Sequence, residues 1–124
     1  MLRQQEGAET STAAITTAKS ITPNILVKSY SQLVIHISNT SANALTNLIM
    51  EARFTPNGTW YTVLTGSDWG TIAGILRGVQ GGLNTLAGGA NGMAQIDLFP
   101  FHEIRFQATA GSAAETTVVH RMRE

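Results

Sequence analysis

Residues 45–64, LTNLIMEARFTPNGTWYTVL, decide the fold. Leu48, Met50, Ala52 and Phe54 alternate with Ile49, Glu51 and Arg53, a period of two that belongs to a half-buried strand and not to a helix. TPNG at 55–58 then supplies Pro to preset a turn and Gly to take a positive φ. On the return arm Trp60, Thr62 and Leu64 share one face, and Tyr61, Val63 and Thr65 the other. The stretch is predicted to be a β-hairpin.

The same texture extends outward. Leu33, Ile35 and Ile37 alternate with Gln32, Val34, His36 and Ser38; Ile96 and Leu98 with Gln95 and Asp97; Ile104, Phe106 and Ala108 with Glu103, Arg105 and Gln107. AAITTAK and ILVKSYS upstream and ETTVVHRM near the end are rich in β-branched residues and bounded by turn formers. Seven or eight short strands without an amphipathic helix predict an all-β chain, an antiparallel β-sandwich or jelly roll with one long Gly-rich loop over 66–92. At 124 residues the chain is one domain. That domain is expected over 13–124, with residues 1–12 as a polar arm, flexible or docked on a partner.

Eight Lys plus Arg balance eight Asp plus Glu, so neither a nucleic-acid nor an anionic-membrane footprint is present. Charged residues are only 13% of the chain, about half the usual share, which leans toward a surface covered in an assembly, a homo-oligomer included. The absence of cysteine removes disulfides, thiolate chemistry and Cys-based zinc sites. No secretory signal pattern opens the sequence, so synthesis in a cytoplasm is expected.

Nine of the twelve glycines fall between Gly66 and Gly92, and Gly66, Gly70, Gly74, Gly78 and Gly82 recur every fourth residue. A small-xxx-small membrane helix would use such a stripe. Glycine's poor helix propensity, the short apolar run and Arg77 argue against it. Trp69, Ile72, Ile75, Leu76, Val79, Leu83 and Leu86 are too apolar for a solvated linker and predict a surface that covers them. Either a neighbouring subunit or the sandwich's own flank supplies it; a mobile insertion is the plainer alternative.

Chemistry is sparse. His36, His102 and His120 lie on separate strand-like segments and at no ligand spacing, so half-buried strand histidines are expected rather than a metal site. Glu51 and Glu103 each have an Arg two residues on, Arg53 and Arg105, the pattern of cross-strand ion pairs. SDWG at 67–70 offers Asp68 and Trp69 as a sugar subsite, with Trp60 and Tyr61 as further stacking surfaces, or else Trp69 simply anchors the long segment. The sequons at Asn39 and Asn57 read as chance in a Ser/Thr/Asn-rich chain. No nucleophile elbow, paired acid cleft or phosphate loop is present, and the chain is read as non-enzymatic, without cofactor or metal.

Taken together, LIMEARFTPNGTWYTVL and AQIDLFPFHEIRFQATA resemble small β-sandwich accessory proteins of tailed-phage virions, capsid decoration (cement) proteins and related tail or fibre modules. The resemblance spans about Gln32 to Met122. It implies an often trimeric subunit on the capsid exterior that clamps the major capsid protein or other virion proteins through its arm and loop. The family has no catalytic residues. The alternative is a carbohydrate-binding or host-recognition module of a phage tail or fibre.

Overall fold

The alternating residues do form strands, and the reason is visible in their burial. In a computed structural model that describes residues 3–124, Leu33, Ile35 and Ile37 are fully buried on one side of a strand whose other side carries exposed Val34 and His36. Eleven strands follow in order: β1 Gln4–Glu6, β2 Thr10–Ile15, β3 Lys19–Ser20, β4 Ile25–Leu26, β5 Gln32–Asn39, β6 Leu45–Arg53, β7 Tyr61–Leu64, β8 Leu76–Gln80, β9 Asn91–Asp97, β10 Glu103–Ala110 and β11 Ala114–Arg123. They make two antiparallel sheets. The six-stranded sheet runs β1-β11-β5-β9-β8, with β2 also on β11; the five-stranded sheet runs β3-β10-β6-β7, with β4 also on β10.

The core lies between the sheets. Leu33, Ile35, Ile37, Ala94, Ile96, Val118 and Met122 of the larger sheet meet Leu48, Met50, Ala52, Ile104, Phe106 and Ala108 of the smaller one. Interdigitation of two inner faces is what the period-two patterns require. The fold is thus the all-β antiparallel sandwich expected from the sequence.

The hairpin differs in detail. Pro56 and Asn57 occupy the central positions of a turn in which Gly58 N–H donates to Thr55 O at 3.1 Å, and it is Asn57, at φ 63°, that takes the left-handed conformation assigned above to glycine. Phe54 lies beyond the end of β6 and is half exposed, so it leaves the buried face that Leu48, Met50 and Ala52 keep.

Two boundaries also change. No division falls after residue 12, because β2 runs through it and pairs with β11 of the same chain, while β1 pairs with the other half of β11. Residues 1 and 2 of the expected arm lie outside the described residues. The span 66–92 is not one loop: it holds 3-10 turns at Gly66–Gly70 and Leu83–Thr85, the edge strand β8 and the start of β9. The second turn continues the edge of β6 where β7 stops, with Leu45 N–H donating to Leu86 O at 2.9 Å and Leu48 N–H to Asn84 Oδ1 at 3.4 Å. Both β7 and β8 carry a bulge in their pairing, which twists an open edge away from a second chain.

Candidate functional site

The apolar residues of the Gly-rich span have their covering surface inside the chain. Trp69, Leu76, Leu83 and Leu86 are at most 1% exposed and belong to the sandwich core. Trp69 is fixed by packing against Phe106 and by its indole N–H, which donates to Leu48 O at 2.8 Å. These residues therefore present nothing to a partner, a correction to the expected interface. Ile75 and Val79 are half-buried against the core, and Ile72 alone stands well out, at 64% exposure. The sandwich's own flank, of the two alternatives, holds the segment.

The sugar constellation loses Trp69 for the same reason. Asp68 accepts from Thr65 N–H at 2.9 Å and closes a capping box on its own 3-10 turn. Tyr61 packs edge-on against Phe54, which in turn meets Phe101 at one end of the sandwich. Trp60 lies elsewhere, on the outer face of the smaller sheet.

That outer face holds the charges the sequence pairs. Arg53 Nε donates to Glu103 Oε1 at 2.7 Å and Arg105 Nε to Glu51 Oε1 at 2.9 Å, across β6 and β10. Both guanidinium groups also approach Trp60, their carbons 4.7 and 4.1 Å from its ring centroid. Each carboxylate is thus spent on an arginine and each arginine on the indole, which makes a braced surface rather than an acid–base pair. Trp60→Ala is expected to lower stability by about 1–2 kcal/mol, the sum of two half-exposed cation–π contacts, as read by urea denaturation.

The histidines do not meet. His36 is exposed on the outer face of β5, His120 points inward from β11, and His102 precedes β10 in the other sheet. Among the described residues no group of three His, Asp or Glu could hold a metal ion. Burial holds the His120 imidazole below its ordinary pKa. Asn39 of the first sequon is buried, its amide donating to Asn43 O at 2.7 Å and Leu86 O at 3.1 Å and its oxygen accepting from Ser41.

Apart from the exposed Phe54, Tyr61 and Phe99, a broader surface is the outer face of the larger sheet. The register sets Val119, His36 and Met93 side by side across β11, β5 and β9, with Thr117, Ser38 and Asn91 in the row on one side and Arg121, Val34 and Gln95 on the other. Val34, Met93 and Val119 are 36–39% exposed. The charges collect at one end: Arg121 is bound to Glu6 of β1, Arg123 donates to Gln32 Oε1 at 2.9 Å, and Arg77 is paired with Asp97 at 2.6 Å. A shallow depression of ≈ 280 Å³ opens there between Gln32, Val34, Gln95 and Arg121. At the opposite end Glu115 accepts from Thr40 Oγ1 at 3.0 Å; the middle of the face between these charges is uncharged with apolar centres, and its members come from strands far apart in sequence, so no local pattern announces it. No helix among the described residues is long and apolar enough to cross a membrane.

No family model matches the chain, and no curated protein matches its sequence. Among solved structures it is similar to the crystal structure of the SPBc2 prophage-derived protein YomS, with a TM-score of 0.58 at 12% identity, over 100% of this chain and 96% of that one. At that identity the likeness is one of fold.

Proposed function

We propose that this chain is a non-enzymatic structural protein of a phage virion, a decoration or cement subunit that attaches to the outer shell and braces it. The observation that carries the reading is the middle of the outer face of the larger sheet, where Val119, His36 and Met93 form a row without Lys, Arg, Asp or Glu and Val34 stands in the next row, beside an Arg121 that Glu6 pairs. Such a face docks by excluding water from apolar and uncharged groups, which avoids stranding unpaired ions at the contact. The fold-level likeness to a prophage-derived protein supports the phage context. The major shell protein is the proposed partner, with self-association into a trimer as a companion feature.

Each copy needs only modest affinity, because contributions of about 25 cal/mol per Å² of apolar contact, repeated over a shell, add up. The double variant Val34→Glu/Met93→Glu places carboxylates in the centre of the face while leaving the core intact. Its melting temperature should stay close to that of the parent, and its co-sedimentation with shells lacking the protein should fall at least about tenfold, the effect of burying an unpaired charge. Undiminished co-sedimentation would remove this face from the interface.

The sugar-binding alternative retains Trp60 and the exposed Tyr61 as aromatic surfaces, but both arginines beside Trp60 already engage its ring and Tyr61 leans edge-on against Phe54. No second observation favours it.

A further inference from the structure

We propose that residues 3–9 form a releasable strap over the edge of β11, and that protonation of His120 releases it. The strap is lightly held. Every residue of β1 is exposed, so no apolar side chain pins it to the core. Its ties are the backbone ladder to Arg121, Met122 and Arg123 and exposed side-chain contacts: Glu6 with Arg121, Arg3 with Glu124, Ser29 O and the Tyr30 ring, and the Tyr30 hydroxyl donating to Gln5 Oε1 at 2.8 Å. Exposed pairs of this kind contribute little.

Beneath the strap lies a group that resists charge. His120 is only 9% exposed, and burial lowers its pKa. Gly7 forms its roof. The Gly7 N–H donates to His120 O at 2.9 Å, and a Cβ at this position would fall inside the imidazole ring. Strap and ring are therefore in direct contact, and any displacement of one is felt by the other.

The surroundings would not welcome an imidazolium. An open cavity of ≈ 440 Å³ adjoins His120 between the strap and the segment from Pro23 to Tyr30. The charged or titratable side chains that line it are Arg3, Glu6, Lys28 and Tyr30. Glu6 is engaged by Arg121, Tyr30 by Gln5 and Arg3 by Glu124, which leaves the cation Lys28. Behind the ring, β5 contributes buried Ile35, and His36 faces the opposite side of the sheet. The ring already borders that open cavity, and lifting Gly7 uncovers it further, so a proton on His120 is better hydrated with the strap off. Lifting the strap leaves β11 paired with β5 along its other edge, so the opening is local and the sandwich persists.

The sign follows from linkage. Well above the ordinary imidazole pKa the ring is neutral whether covered or free, and the strap is docked. As pH falls below that value the free ring takes up a proton before the covered one does, so the opening constant rises by about tenfold per pH unit until the lowered pKa is passed.

The test follows the amide resonances of residues 4–9 and the His120 ring signal by NMR from about pH 7.5 to about pH 4.5, spanning imidazole titration. In the parent protein the strap resonances should move to free-chain positions with the same midpoint as the His120 ring. His120→Phe, whose ring stays neutral, should keep the strap docked throughout; if it does not fold, His120→Gln serves the same purpose. Gly7→Ala should show a released strap already at neutral pH, with the other resonances unchanged. A strap that stays docked in the parent at acid pH would overturn the proposal. So would an identical release in the neutral variants, which would put the switch at Glu6 instead.

Discussion

Trp69→Ala is expected to lower stability by about 3–5 kcal/mol, the range for truncating a buried Trp. The side chain is 1% exposed and packs against Phe106, its ring centroids 6.4 Å apart. Truncation leaves a void between the 3-10 turn and the inner faces of both sheets, and it strands Leu48 O, which accepts the indole N–H at 2.8 Å. Trp69→Phe separates the two parts, keeping much of the packing and losing the donor, and should cost about 1–3 kcal/mol. Chemical denaturation followed by far-UV circular dichroism measures both. A change below about 1 kcal/mol in the alanine variant would mean that Trp69 is free to meet a partner after all.

Gly81→Ala should cost about 2–4 kcal/mol, combining left-handed backbone strain with a collision. Gly81 sits at φ 88°, and a Cβ there would run into the carbonyl oxygen of Asn91 and Cα of Gly92, backbone that cannot step aside. The controls sit in the same glycine-rich span. Gly70 and Gly78 have no atom within 4 Å of a built Cβ and no positive φ, so alanine at either position should change stability by less than about 0.5 kcal/mol. Thermal melts of the three variants decide whether the span is an ordered part of the sandwich. Equal and small effects at all three would restore the picture of a mobile insertion.

The strands that the sequence made legible are those whose burial alternates cleanly: β5, β6, β9 and β10 each present one apolar and one polar face. β1 and the first half of β2 escaped because QQE and TST carry no apolar signal, whereas the β-branched texture from Ala13 on marked the rest of β2; the unmarked parts are strands by virtue of the backbone groups that β11 offers. β8 escaped for a different reason. Its pairing slips between Leu76 and Gly78, which breaks the alternation that Leu76 and Val79 would otherwise show. Arg53, Glu103, Arg105 and Glu51 were readable because each pair of neighbours shares a face within one strand. The middle of the larger sheet's outer face was not, since Val34, Met93 and Val119 become neighbours only through the registers of β5 with β9 and β11.

The most direct measurement of the proposed role is cryo-electron microscopy of virus particles purified from cultures that produce this chain, which would locate the protein without presuming a partner. Density fitting the two-sheet sandwich should occupy regular positions on the outer shell, with the β11-β5-β9 face turned toward the shell protein. A particle without that density, or one in which the face carrying Val34, Met93 and Val119 points into solvent, would contradict the proposed role.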